Sequence, residues 1–338
     1  MTQHKIYITG TAGFVGFHLA RYLLDAGHQV HGFDGMTDYY DVSLKQDRTS
    51  ILSKSKNFSV TNGMLEDDNL LSSDIKKFSP DVVVHLAAQA GVRYSLENPR
   101  AYLNSNLIGT FNILELAKEL KVKHLLMAST SSVYGGNTDM PFKENDKADT
   151  PLTFYAATKK ANESMAHSYS HLWDLPVTMF RFFTVYGEWG RPDLALYKFA
   201  RAILTDQKID VYNHGQMYRD FTYVGDLVHA ISLLIESPPV KDKPFAPLGV
   251  DSLSPIAPFR VVNIGNNDRV LLKDFISAIE LSLDKKAVKN MLPMQMGDVP
   301  ATWADTELLQ QITGYTPSTS YVDGVAKFVA WFREYYQM

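Results

Sequence analysis

The apolar run Lys5 to Thr9 passes directly into Gly10-Thr11-Ala12-Gly13-Phe14-Val15-Gly16, which opens a helix-period stretch from Phe14 to Ala26. A strand that ends in spaced glycines and starts a helix gathers free backbone N–H groups and the positive end of a helix dipole at one point, a setting for a diphosphate. Gly10, Gly13, Phe14, Val15 and Gly16 are therefore candidate dinucleotide-binding residues. The spacing has one residue more between the first two glycines than the common fingerprint, so its context matters. The next strand pattern, Val30 to Phe33, ends at Asp34, about 20 residues on, where a ribose-binding acid belongs. A carboxylate there repels a 2′-phosphate, and Phe33-Asp34-Gly35-Met36 has no Arg or Lys beside it. The expected cofactor is NAD, not NADP.

The alternation continues. Strand-like Asp81 to Leu86, helix-like Ala101 to Leu120, strand-like His124 to Ala128, helix-like Ala156 to Leu172 and strand-like Val177 to Phe182 follow in order. Repeated βαβ patterning predicts an α/β fold, a doubly wound parallel Rossmann sheet with helices on both faces. After Phe183 the rhythm loosens into aromatic and loop-rich sequence, while Val261-Val262-Asn263-Ile264-Gly265 reads as a strand returning to the sheet. The expected division is a dinucleotide domain over 1–182, with return segments near 220–235 and 259–266. A smaller α/β substrate domain takes most of 183–338. Pro238 to Pro258 carries six prolines and reads as an extended surface loop.

Composition narrows the function. The net charge of -4, from 33 basic and 37 acidic residues, provides no basic stripe for a nucleic-acid backbone. With no cysteine, disulfides, thiolate metal sites and cysteine nucleophiles are excluded, and no metal is expected. No segment has the length and apolarity of a membrane span, and no signal-peptide pattern precedes Ile6. The expected location is cytoplasmic, with no nucleic-acid or membrane partner.

Tyr155-Ala156-Ala157-Thr158-Lys159 puts a phenol and an ammonium one helical turn apart on the same face. A free tyrosine, with a pKa of about 10, is a poor base at neutral pH, and a nearby lysine stabilises its phenolate. Tyr155 is the candidate base and Lys159 its tuner. The preceding strand runs into Ser129-Thr130-Ser131-Ser132, delivering hydroxyls at the carboxyl end of a parallel strand, where such sheets bind ligands.

Together the glycine motif, His85-Leu86-Ala87-Ala88, the Ser/Thr run and Tyr155/Lys159 resemble the extended short-chain dehydrogenase/reductases. Gln89 to Ser95, Tyr155 to Asn162, Arg181 to Gly187, Trp189 to Asp193 and Arg219 to Tyr223 look like the UDP-glucuronate 4-epimerases over nearly the whole chain. The resemblance implies that Thr130 hydrogen-bonds the reacting sugar hydroxyl, Tyr155 takes its proton and Lys159 also binds the nicotinamide ribose. It implies cofactor contacts from Leu65, Leu86, Ala87, Ala88 and Asn106, the last also the structural asparagine beneath the active site. Arg191, Arg219 and Asp298 would hold the UDP half, with Arg93, Lys198 and Tyr212 as further substrate contacts. The chain departs from the family pattern at Met64-Leu65, usually Asp-Ile beside the adenine. Glu188, Tyr218 and Met296 replace a frequent proline, arginine and proline respectively.

By this likeness, Tyr155 removes the 4-hydroxyl proton while hydride passes to NAD, the 4-keto sugar turns over, and hydride returns to its opposite face. From a uronic acid the intermediate is a β-keto acid, prone to lose carbon dioxide. Thr184, Ser131 and Ser132 are the candidate clamps for its carboxylate, since neutral hydroxyls fix orientation by geometry. Related decarboxylases and dehydratases typically carry an acid just after the catalytic Ser/Thr, where this chain has Ser131 and Ser132. Epimerisation of UDP-glucose or UDP-N-acetylglucosamine, decarboxylation of UDP-glucuronate, and a catalytically silent NAD- or UDP-sugar-binding regulator are the alternatives. A homodimer through the helices at 101–120 and 156–172 is expected from the family, as is a place in polysaccharide biosynthesis.

Overall fold

The computed structural model describes residues 3–247, 249–295 and 297–338. Seven parallel strands form the main sheet: β1 (Lys5–Thr9), β2 (Gln29–Asp34), β3 (Phe58–Asn62), β4 (Val82–His85), β5 (His124–Ala128), β6 (Val177–Phe182) and β7 (Phe259–Ile264). Their spatial order is β7-β6-β5-β4-β1-β2-β3, so the direction of winding reverses between β1 and β4. Ligands of such sheets bind at that switch, beyond the carboxyl ends of the strands.

The strands look uniformly apolar in sequence because both faces are covered. Ile6, Ile8, Val82, Val84, Leu126, Ala128, Val262 and Ile264 point to one face, with the helices Phe14–Asp25 and Val224–Ile235. Their neighbours Tyr7, Val83, Leu125, Met127 and Val261 point to the other, with the helices Asp68–Phe78, Gly109–Leu120 and Phe154–Trp173. Each fully buried side chain of this size stabilises the fold by about 1.5–3 kcal/mol. The helix Val224–Ile235 packs on the helix Phe14–Asp25, and β7 pairs with β6 from Phe259↔Val177 to Ile264↔Phe182.

A separate aromatic-rich core, with Tyr186, Phe221, Phe275, Phe328 and Phe332, organises the C-terminal half. Here the sheets are small: Thr184–Tyr186 pairs with Phe221–Tyr223, and Tyr218–Arg219 lies between Val270–Leu271 and Ala301–Thr302. The proline-rich connection is more firmly held than a surface loop. Asp251 accepts two hydrogen bonds from the Arg260 guanidinium, at 2.8 and 3.1 Å, and both residues' side chains are buried. The expected helix at 101–120 is broken in character. An α-turn Pro99–Tyr102 passes into the π-helix Leu103–Ile108 before Gly109–Leu120 begins, and the wide turn carries the fully buried Asn106.

Candidate active site

A cleft of about 510 Å³ runs from the β1 glycine loop to the small sheet of the C-terminal half. At its first end the backbone has been cleared of side chains. Gly10 has φ +84°, and a Cβ there would stand 2.9 Å from the Ala87 nitrogen. A Cβ on Gly16 would overlap the Gly10 carbonyl oxygen, so the helix can begin this close to the loop only with glycine. Gly10, Gly13, Phe14, Val15 and Gly16 all line the cleft, as do Leu65, Leu86, Ala87 and Ala88. Asp34 accepts from Ala12 N and Met36 N, both at 2.9 Å, one on each carboxylate oxygen. Each oxygen keeps acceptor capacity for a ribose hydroxyl. These residues fit a bound dinucleotide.

The surroundings of Asp34 are less purely acidic than its neighbours in sequence suggest. Lys45, from the helix Val42–Leu52, is buried in the same cavity wall and donates to Thr37 through its carbonyl at 2.6 Å and its hydroxyl at 3.1 Å. Burial holds this ammonium below its ordinary pKa, with the Asp34 charge opposing that shift. Lys45 and the paired ring residues Tyr39 and Tyr40 escaped the sequence reading. Their signal is the run Tyr39-Tyr40 shortly after Asp34, followed by Lys45 at the start of a helix.

The middle of the cleft holds the Tyr–Lys pair. Thr153 caps the helix Phe154–Trp173, its hydroxyl accepting from Ala156 N at 3.2 Å, so Tyr155 is in the first turn. Burial raises the Tyr155 pKa, while the Thr130 side chain and the Arg191 charge push it back towards phenolate. Lys159 is buried and donates to the Ala128 carbonyl at 2.9 Å; burial brings its pKa down to about 8. Thr130 precedes the 3-10 turn Ser131–Tyr134 and accepts from Ser132 N at 3.2 Å, which sets Ser131 and Ser132 along the cleft. Behind this turn, Ser129 donates to Glu163 at 2.6 Å, and Glu163 takes two bonds of 2.9 Å from Arg181. Burial alone would raise the Glu163 carboxyl, but Arg181 and Ser129 hold it below its usual value.

Asn106 does not line the cleft. Its carbonyl accepts from Gln89 N at 2.8 Å, and its amide donates to Gln89 O and Thr158 Oγ1, both at 3.1 Å. All its polar atoms are engaged by protein, and it braces the wall at Gln89, next to Ala88. At the far end, Thr184, Arg191, Arg219 and Asp298 line the cleft. Arg191 is aligned by Asp193 at 2.9 and 2.7 Å, and burial lowers the Arg219 pKa against the pull of Asp298. Arg93 and Tyr212 meet at the rim: the Arg93 guanidinium is 5.0 Å from the Tyr212 ring and 3.3 Å from Asp298 Oδ2. Lys198 is exposed on the helix Ala195–Leu204, outside the cleft lining. Of the family departures, Glu188 accepts from Tyr223 Oη with both oxygens at 3.0 Å, and Tyr218 is stacked by Arg269 at 3.9 Å. Met296 lies outside the described residues. Among the described residues no cluster of His, Asp and Glu could hold a metal ion, and no helix is long and apolar enough to cross a membrane.

A doubly wound sheet with a glycine loop after β1, a carboxylate at the end of β2 and a Tyr–Lys pair beside a hydroxyl-bearing strand end defines an NAD-binding enzyme of the extended short-chain dehydrogenase/reductase class. Residues 6–246 match the NAD dependent epimerase/dehydratase family, and the chain belongs to it. It is 55% identical over 334 residues to a probable UDP-glucuronate 4-epimerase of Rhizobium meliloti, covering 98% of each chain. It is 43% identical over 336 residues to UDP-glucuronate 4-epimerase 4 of Arabidopsis thaliana, covering 98% of this chain and 76% of that one. The Bacillus cereus UDP-glucuronic acid 4-epimerase, solved with UDP-glucuronic acid and NAD, superposes with a TM-score of 0.87 at 30% identity, over 98% of this chain and 99% of that one.

Proposed function

We propose that this enzyme interconverts UDP-glucuronate and UDP-galacturonate by inversion at C4. The observation that carries the reading is one continuous cleft in which the dinucleotide loop, the Tyr155–Lys159–Thr130 group and the hydroxyls of Ser131, Ser132 and Thr184 face a common space. The relatives at 55% and 43% identity support the same activity.

Thr130 orients the sugar 4-hydroxyl and Tyr155 takes its proton, the phenolate being favoured by Lys159. Bound NAD supplies a reversible two-electron acceptor for the C4 carbon–hydrogen bond. After the 4-keto sugar has turned, Tyr155 returns the proton to the C4 oxygen as the C4 carbon–hydrogen bond re-forms on the opposite face. Arg191, Arg219 and Asp298 hold the UDP half, with Arg93 and Tyr212 at the rim, so the sugar pivots about a fixed diphosphate. Ser131, Ser132 and Thr184 hold the carboxylate still while C4 is a ketone. Asp34, Leu65, Leu86, Ala87 and Ala88 position the dinucleotide together with the glycine loop, and Asn106 supports that wall from behind.

The proposed assembly is a homodimer working in the cytoplasm and supplying polysaccharide synthesis. Its support is the apolar exposure of the helices at 101–120 and 154–173, where Phe111, Leu172 and Trp173 are 49%, 61% and 48% exposed. The deciding experiment incubates the protein with UDP-glucuronate, with and without added NAD, and resolves the products by anion-exchange chromatography. UDP-galacturonate supports the 4-epimerase. UDP-pentose would make it a decarboxylase, and absence of product would redirect the test to UDP-glucose and UDP-N-acetylglucosamine.

A further inference from the structure

Arg48 is fully buried on the helix Val42–Leu52, outside the cleft lining, and none of its hydrogen-bond acceptors is a carboxylate. Nη1 donates to Ala12 O at 2.8 Å and Tyr40 Oη at 2.9 Å, and Nη2 donates to Trp189 O at 2.5 Å. Among the described residues its Nε finds no partner. Burying a cation among neutral acceptors is expensive, and a well-packed apolar side chain would serve stability better. What the guanidinium does provide is a rigid fork between two distant backbone carbonyls.

Those carbonyls belong to the two halves of the cleft. Ala12 is inside the glycine loop, whereas Trp189 is two residues before Arg191. A second tie runs alongside: His18, from the helix that the glycine loop opens, donates from Nε2 to Glu188 O at 2.8 Å. Burial drops the His18 pKa to about 4, so the ring stays neutral at physiological pH and this tie does not titrate. Phe17 also packs on Trp189, with ring centroids 5.4 Å apart. Trp189 itself has φ +56°, a left-handed backbone conformation unfavourable for a bulky side chain. Such a residue persists only where its surroundings over-determine it, and here the Arg48 fork and the Phe17 and Trp331 rings do so.

We propose that Arg48 is a positioning residue that couples dinucleotide binding to UDP-sugar binding, by holding the glycine loop and the Trp189–Arg191 segment in one register. A diphosphate at the glycine loop brings negative charge towards a guanidinium that hydrogen-bonds only neutral acceptors, and fixes the fork. The fork in turn fixes the segment that presents Arg191. By reciprocity, a uridine diphosphate on Arg191 tightens the dinucleotide by the same factor. The inference rests on the reading of the cleft as an NAD and UDP-sugar site.

The test titrates full-length protein with NAD by calorimetry, in the absence and presence of saturating UDP, which binds without reacting. Saturating UDP should tighten NAD about tenfold in the wild type. Arg48→Lys keeps the charge but cannot span both carbonyls, and it should bring that ratio to within about twofold of one. His18→Phe cuts the parallel tie without touching Arg48 and should lower the ratio by a smaller factor; it decides the matter alone if Arg48→Lys does not fold. A wild-type ratio near one, or variants that lose stability and both affinities while keeping the wild-type ratio, would overturn the coupling. Failure of NAD or UDP to bind the wild type singly would instead refute the site on which the inference rests.

Discussion

Lys159 Nζ donates to the Ala128 carbonyl oxygen at 2.9 Å, so the strand end that delivers Thr130 also fixes the ammonium one turn from Tyr155. Helix and strand are thereby set in register at the reacting atoms. Burial is the cause that brings the Lys159 pKa down to about 8, and the position is costly to the fold.

Lys159→Met should therefore separate activity from stability. Turnover should fall about 10²–10⁴-fold, the usual worth of a group that supports proton transfer. The melting temperature at pH 7 should stay level or rise. The folded-state pKa lies below the ordinary lysine value, so the ammonium destabilises the fold fully below about pH 8, and the penalty fades towards the ordinary value of 10.5. Any gain in melting temperature should shrink between pH 8 and 10. A variant that melts far below the wild type at pH 7 would contradict this account.

Tyr155→Phe keeps the ring, including its contact with Tyr102 at a centroid distance of 6.0 Å, and removes only the hydroxyl. The expected result is loss of turnover by at least about 10³-fold, with NAD still bound at wild-type stoichiometry. Near-normal turnover would remove Tyr155 as the base.

The parts of the site legible in the sequence are those in which neighbours in the chain are neighbours in space. The glycine loop, Asp34 at the end of β2, and Tyr155 with Lys159 on one helix face all follow from local period and spacing. The contributors that escaped arrive from a distance. Lys45 reaches the Asp34 corner from the following helix, and Arg48 meets Trp189 across 141 positions. Ser129, Glu163 and Arg181 come from two strand ends and a helix to form one buried network. The π-helix at 103–108 was illegible for another reason: its apolar spacing reads as α-helix, and the wide turn is selected by packing around Asn106.

Glu144 offers a test by pH. It is buried, its pKa is raised to about 8 by burial, and its Oε1 accepts from Asn263 N at 2.8 Å. A carboxyl raised in the folded state stabilises the fold below its unfolded pKa, near 4.5, and that contribution is lost as pH rises through about 8. Glu144→Gln retains a carbonyl acceptor and cannot ionise. It should be more stable than the wild type by up to roughly 4 kcal/mol at pH 8 and within about 1 kcal/mol of it at pH 5. Parallel stability–pH curves for the two proteins would show that Glu144 ionises freely in the fold.

For the proposed dimer, Phe111→Lys places a charge on the exposed apolar face of the helix Gly109–Leu120, where the native ring is 49% exposed in the single chain. Light scattering should show the wild type as a dimer and the variant shifted to monomer, with the cleft unaltered. A monomeric wild type would dispose of the interface.

The carboxylate clamp is tested most sharply at Thr184. Its backbone is fixed from outside the cleft: Thr184 N donates to Asp220 O at 3.0 Å, and the Asp220 carboxylate accepts from Asn266 N, Asn267 N and Ala304 N at 2.6, 3.1 and 3.1 Å. Thr184→Val therefore keeps the β-branch, the strand pairing and the volume, and deletes a single hydroxyl from the cleft wall. With C4 oxidised, the bond from C5 to the carboxylate carbon breaks readily once it aligns with the carbonyl π system, releasing carbon dioxide and leaving an enolate that takes a proton at C5; return of the C4 hydride to that 4-keto pentose would then give UDP-pentose. If Thr184 holds the carboxylate out of that alignment, the variant should form UDP-pentose and carbon dioxide alongside UDP-galacturonate, with the NAD content of the protein unchanged. Product resolved over a full time course, with trapped carbon dioxide counted from carboxyl-labelled substrate, measures the partition directly. Wild-type product purity in Thr184→Val would transfer the clamp to Ser131 and Ser132 alone.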